Sequence, residues 1–200
     1  MGRYIVGVTG ASGTVYAERL IARLTQKGHE VRLCVTDAGR MVSREERDWE
    51  AGTPEALERC LRERCGAPEE LLRVYPIHAV GADIASGSFH SDGMIVLPCS
   101  MGTLSSIAHG ASHNLLERAA DVMLKERLPL LLVPREAPYN TIHLENMLTL
   151  SRLGVILVPA SPAFYHRPHS VDELVDFFVT RLLDQLGIRE ECPARWRGME

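Results

Sequence analysis

Apolar and polar positions along this chain follow two periods, and the periods take turns. Residues 3–9 (RYIVGVT) form a short β-branched run that predicts a buried strand, and a helical pattern follows over 15–27. Lys27-Gly28 reads as a helix stop, and a second strand is expected at 30–36 (EVRLCVT). The charged stretch MVSREERDWE precedes Pro54, a good first helical residue, and the helical EALERCLRER. Residues 80–92 (VGADIASGSFHSD) read as a short strand and a small-residue loop, and MIVLPCS as a third clear strand. Helical patterns come next over 103–109 and 112–126, then strands at 129–133 and 154–159 bracketing a helix over 141–152. The amphipathic VDELVDFFVTRLLDQL is the last helix before a polar tail. Strands apolar on both faces and alternating with helices predict one α/β domain, a doubly wound parallel sheet covered on both sides.

Composition narrows the function classes. The 200 residues are 46% hydrophobic and 24% charged, ordinary for a globular domain with its own core. A net charge of -4 argues against sequence-independent nucleic-acid binding, which needs a basic face. The longest apolar run, Leu130 to Val133 beside Pro129 and Pro134, is far too short to span a bilayer. The N-terminus enters a strand at once and shows no signal-peptide layout. Cysteines at 34, 60, 65, 99 and 192 form no CxxC, a scatter that implies reduced thiols and a cytoplasmic location.

In doubly wound sheets, ligands sit beyond the carboxyl ends of the strands, near the point where strand order reverses. That rule directs attention to loops Gly10–Thr14, Thr36–Asp37, Ala85–Ser88, Cys99–Thr103, Pro134–Asn140 and Pro159–Arg167. In GVTGASGT the glycines fall at 7, 10 and 13, a GxxGxxG spacing unlike the dinucleotide GxGxxG. Such a strand-to-helix junction offers N–H groups to a phosphate, although a bare tight turn also uses small residues. Asp37 suits a ribose hydroxyl or a helix N-cap. PCSMGT repeats the chemistry with Ser100, Gly102 and Thr103; either loop alone also fits N-capping, while the two together suit a mononucleotide.

Arg135 and Glu136 are held between Pro134 and Pro138. In a partly desolvated pocket Glu136 would have a raised pKa and serve as an acid or base; a surface ion pair is the plainer reading. PASPAFYHRP carries Tyr165, His166 and Arg167 in a similarly stiffened loop. Arg181 follows among Phe177, Phe178 and Leu182, which predicts a buried cation in need of an anion. His109 and His113 are four apart, but Gly110 interrupts them and no metal site is expected. HLEN at 143–146 reads as helix surface and packing, and Cys99 as a buried thiol. No acid-rich run is present to hold Mg²⁺ and a diphosphate.

Taken together, TGASGT, ASGSF, PCSMGTLSSIAHGASHNLLERAADVMLKER, PLLLVPREAPYNTIHLENML and PASPAFYHRPHSVDELVDFFVTRLLDQLG resemble the UbiX-like flavin prenyltransferases, in order, from about residue 3 to 188. The resemblance implies a three-layer flavodoxin-like or Rossmann-like fold, assembled from trimers into a homododecamer. It implies a metal-independent transfer of a dimethylallyl group from dimethylallyl phosphate to N5 and C6 of reduced FMN. The prenylated FMN so made would serve a UbiD-type decarboxylase.

By the same resemblance, Gly10, Ala11, Ser12, Thr36, Ser100, Met101, Gly102, Thr103 and Arg135 contact FMN. Lys125, Arg135, Tyr165 and Arg181 grip the prenyl phosphate, some of them across subunit boundaries. Glu136 and Ser12 assist proton transfer, and Glu46 lies near the reacting centre; the departure of REERDWE from the family pattern leaves Glu45 as its alternative. Ala85, Ser86, Gly87, Arg118 and Trp196 line the site, within one domain at 1–188 and a tail at 189–200 that closes over it. Rival readings are an FMN-dependent decarboxylase acting on peptidyl or pantothenoyl cysteine on a related fold, and a flavin carrier without catalysis. The decarboxylase needs a flavin but no phosphate clamp. Whether the donor is a monophosphate or a diphosphate stays open.

Overall fold

The computed structural model describes residues 1–50 and 52–190. Six parallel strands lie in the order β3-β2-β1-β4-β5-β6. They are β1 (Arg3–Val8), β2 (Glu30–Val35), β3 (Leu72–Tyr75), β4 (Gly93–Cys99), β5 (Leu130–Pro134) and β6 (Ile156–Leu157). The helices are α1 (Thr14–Gln26), α2 (Asp37–Arg47), α3 (Pro54–Cys65), α4 (Met101–Ala108), α5 (Leu115–Lys125), α6 (Thr141–Arg152) and α7 (Val171–Gln185). Every residue of β4 is buried, because apolar side chains pack on both of its faces. On one face Leu20, Leu24, Leu57, Leu61, Val179 and Leu182 form a core from α1, α3 and α7. On the other, Leu104, Leu116, Ala119, Met123 and Leu150 of α4, α5 and α6 form a second. These are the three layers and the doubly wound sheet that the sequence pattern predicts.

Four details differ from that pattern. The strand expected within 80–92 is absent; those residues hold a 3-10 turn at Asp83–Ala85 instead. The third strand is Leu72–Tyr75, only four residues long, at the sheet edge and with Arg73 exposed, so it leaves no apolar run to read. The charged stretch after Thr36 is helix α2, which buries only Gly39 and Ser43 and so carries no apolar period. The edge strand β6 keeps only Ile156–Leu157 of the expected 154–159.

Strand order reverses between β1 and β4, and the first crevice of the sheet opens there. A buried threonine closes its floor. Thr9 Oγ1 donates to the Pro98 carbonyl at 2.8 Å and accepts from Ser100 N–H at 2.7 Å. The loop after β1 and the loop after β4 are thereby clasped side by side.

Candidate functional site

The first loop turns on Gly13, whose φ of 122° is open to glycine and strained for other residues. Gly10 lies so close to α2 that a Cβ there would stand 2.5 Å from the Ala38 Cβ. This contact sets the first turn of α2 against the loop. Thr36 caps α2, its Oγ1 accepting from Gly39 N–H at 3.0 Å, so Asp37 is the first helical residue rather than the N-cap. Ser100 caps α4 in the same way, accepting from Thr103 N–H at 3.4 Å while its hydroxyl donates to Thr103 Oγ1 at 3.2 Å. Nothing lies within 4 Å of where a Gly102 side chain would begin, so open space adjoins this helix start. Met101 is buried beneath it, and Arg135 N–H reaches the Cys99 carbonyl at 3.3 Å, bringing the third loop alongside.

Glu46, in the last turn of α2, reaches back to the start of α1. Its carboxylate accepts from Gly13 N–H at 3.1 and 3.2 Å and from Thr14 N–H at 2.9 Å. A carboxylate is favoured there by the helix dipole. Burial pushes the Glu46 carboxyl up, but hydrogen bonds from Ser12, Gly13 and Thr14 outweigh it and hold it below the usual carboxylate range. The N–H groups that the sequence offers to a phosphate are therefore filled at 13 and 14 by the chain's own carboxylate. Glu46 and Ser12 are in contact as a result.

The remaining expected site residues are not gathered at this crevice by one chain. Glu136 and Arg135 stand beyond β5 but are exposed, and Glu136 accepts from Ala137 N–H at 3.0 Å. The partly desolvated pocket expected for Glu136 is not formed within the single chain. Tyr165 is half exposed in the loop after β6, packed edge-on against Phe177. Arg181 is exposed, not buried, and pairs with Asp184 at 3.0 Å. The buried stripe of α7 runs through Val175, Phe178, Val179 and Leu182, and position 181 falls at its edge.

Lys125 ends α5 and pairs with Glu126. Four residues later the Pro129 carbonyl accepts from Met94 N–H at the amino ends of the strands, so Lys125 lies away from the crevice. Arg118 of the same helix donates to the Ala85 carbonyl at 3.2 Å and to Asp121 at 2.7 Å. A Cβ at Gly87 would stand 2.7 Å from Lys125 Nζ. Ala85, Ser86 and Gly87 thus run down beside α5 toward β4, rather than crowning a strand as the sequence reading placed them. Trp196 and the tail beyond 190 lie outside the described residues.

Among the described residues no group of three or more His, Cys, Asp or Glu is placed to hold a metal ion. His113 instead faces Glu117 at 3.2 Å, an acid the sequence reading passed over. Cys99 is fully buried, and burial pushes its thiol up to about 12. His143 completes a capping box with Asn140 at the start of α6, and Asn146 is buried in that helix. No helix of the described residues is long and apolar enough to cross a membrane.

The sequence model of the family described as Flavoprotein matches residues 2–183. Flavin prenyltransferase UbiX of Halalkalibacterium halodurans is 50% identical over 195 residues, 98% of this chain and 93% of that protein. The chain belongs to the UbiX flavin prenyltransferases. A dodecameric FMN-dependent UbiX-like decarboxylase from Escherichia coli O157:H7 superposes with a TM-score of 0.87 at 42% identity, covering 98% of this chain and all of that one. AnUbiX (PadA1), solved with FMN and dimethylallyl pyrophosphate, gives 0.85 at 37% identity, covering 100% of this chain and 99% of that one. The chain is a flavoprotein, and the crevice donors suit FMN: hydroxyls of Ser12, Ser100 and Thr103, N–H groups of a small-residue loop, and the Arg135 cation.

Two structural partners of this UbiX site escaped the sequence reading. Thr9, which clasps the two loops, looked like the end of a strand; only the pairing of β1 with β4 shows its role. Glu18, on the surface-facing pattern of α1, is in fact the hub of an ion cluster. Its carboxylate accepts from Arg47 at 2.7 Å, Trp49 Nε1 at 2.8 Å and Arg64 at 3.0 Å.

Proposed function

We propose that the crevice between the loops after β1 and β4 holds FMN through Gly10, Ala11, Ser12, Thr36, Ser100, Met101, Gly102, Thr103 and Arg135. There a dimethylallyl group from dimethylallyl phosphate is joined to N5 and C6 of reduced FMN. The observation that supports this reading is the contact of Ser12 with Glu46 beside two clasped, small-residue loops at the strand reversal. Reduced FMN supplies two nucleophilic positions. At N5 a C–N bond would form to the allylic carbon as its C–O bond to the phosphate breaks, and the phosphate would leave carrying the N5 proton. Closing the ring then adds C6 to the prenyl double bond and moves one proton from C6 to the prenyl chain.

The chain therefore has to stabilise a leaving phosphate and to take and return a proton. Arg135 and Tyr165, which follow β5 and β6, take the first task in this reading, with Lys125 and Arg181 supplied by neighbouring copies. Fixed cations aimed at the departing phosphate can replace a metal in this role. Glu136, assisted by Ser12 and Glu46, takes the second. Ala85, Ser86, Gly87, Arg118 and Trp196 line the assembled site.

Assembly into a homododecamer is part of this reading. Helix α6 buries only Asn146 and Leu150, and leaves Ile142, Leu144 and Leu148 at least half exposed beside Tyr139. An apolar surface of this kind marks an association face. The product passes to a UbiD-type decarboxylase in the cytoplasm. Anaerobic incubation with reduced FMN and dimethylallyl phosphate, with and without a metal chelator, tests the reading. Flavin that gains one five-carbon unit at equal rates in both supports it, and unchanged flavin overturns it.

A further inference from the structure

We propose that Glu18 is a positioning residue for Glu46, holding the last turn of α2 against the first turns of α1 through Arg47 and Trp49. Successive residues serve different ends along four positions, 46–49. Glu46 points to the N–H groups of Gly13 and Thr14. The next residue, Arg47, donates to Glu18 at 2.7 Å. Asp48 then turns the chain with a φ of 50°, and Trp49, 1% exposed, brings its indole N–H to the same carboxylate at 2.8 Å. Glu18 follows Thr14 by four residues, so both face the same side of α1. The turn that carries Glu46 is thus fixed to α1 at two successive rungs.

A third anchor comes from α3. Arg64 donates to Glu18 at 3.0 and 3.3 Å, and the Cys65 thiol donates to the Glu18 carbonyl at 3.6 Å. One carboxylate with a side chain 14% exposed therefore collects donors from α2, α3 and the turn between them. Burial pushes it up, but Arg47, Arg64 and Trp49 bring it down to about 2, so it stays charged across the working range. Without the negative charge at 18, Arg47 loses its hydrogen-bonded carboxylate, keeping only the more distant Asp172 and Asp48, and the turn loses its register on α1. Glu46 then shifts relative to Ser12 while the loop after β1, clasped by Thr9, stays in place.

The proposal rests on the reading of Glu46 as a group near the reacting centre, and a double-mutant cycle separates the two. Glu18→Gln, Glu46→Gln and the double variant are compared for single turnover of reduced FMN with dimethylallyl phosphate. Displacement of a reacting group by around an ångström predicts a fall of about 10- to 100-fold for Glu18→Gln. KM for the prenyl phosphate should stay within about twofold, because uniform binding is untouched. The double variant should be no slower than Glu46→Gln alone, since Glu18 acts through Glu46. Arg47→Met, which keeps an apolar stem, should behave like Glu18→Gln and decides the matter if the latter does not fold.

Wild-type turnover in folded Glu18→Gln, or a double variant slowed by the product of the single effects, would overturn the positioning role. Wild-type turnover in Glu46→Gln would overturn the reading of Glu46 and the proposal with it.

Discussion

Glu18 is held as a carboxylate by donors from two helices and the turn after α2, and its folded-state pKa of about 2 lies below the ordinary 4.5. A depressed carboxyl stabilises the fold above its unfolded pKa and loses that contribution as pH falls toward the folded value. The shift corresponds to about 3 kcal/mol, fully present above about pH 4.5 and lost on the way down to about 2. Glu18→Gln should therefore melt well below wild type at pH 7, and the gap should close as pH drops from 5 toward 3. A gap of equal size throughout would show that the charge is not what stabilises. At the site, Glu136→Gln should leave FMN affinity nearly unchanged and slow ring closure by about 10²–10⁴-fold, read by rapid-quench analysis of the flavin. Full ring-closing speed would leave Glu136 a structural residue.

Arg181→Ala should weaken dimethylallyl phosphate on FMN-loaded protein by at least about tenfold, because a charged hydrogen bond is worth roughly 1.5–3 kcal/mol. Arg181→Lys should restore only part, since an ammonium lacks the two-pronged fork. Equal affinities in calorimetry would assign Arg181 to its pair with Asp184. Helical spacing placed this arginine among phenylalanines and so suggested burial. It cannot distinguish the centre of a stripe from its edge, where the charge swings out to solvent.

At the scale of elements, the strands that pack on both faces were legible because nearly their whole length is apolar, as in β1 after Arg3, β4 and β5. The elements missed are those stabilised by other means. Helix α2 is anchored by Thr36, Glu46 and Arg47 rather than by an apolar face, and β3 pairs along only one edge. The loops of the crevice were legible from their small residues, but their contacts with α2 were not, since those depend on a helix that the pattern hid. The approach of Gly10 to α2 gives a direct test. Gly10→Ala drives a methyl into Ala38, which has no flexible end to yield. Overpacking of this kind costs about 1–3 kcal/mol, so the variant should melt lower and bind FMN more weakly. An unchanged melting temperature and FMN affinity would mean that α2 is not seated on the loop.

In the whole molecule, the residues proposed for the phosphate are split between the two ends of the sheet. Arg135 and Tyr165 follow β5 and β6, whereas Lys125 precedes β5. No reading of a single chain could bring Lys125 to the site, because a helix that returns antiparallel to its strands ends at their amino side. In the proposed assembly neighbouring copies supply Lys125, and the exposed apolar residues of α6 are where they would meet. Leu148→Glu should shift light scattering from a large assembly to smaller species and lower turnover, while an unchanged assembly would place the contact elsewhere. The most direct test of the account is single turnover of the assembled wild-type protein, anaerobically, with reduced FMN and dimethylallyl phosphate. Each flavin should gain one five-carbon unit as one inorganic phosphate is released. Flavin recovered unchanged, with the prenyl phosphate intact, would contradict it.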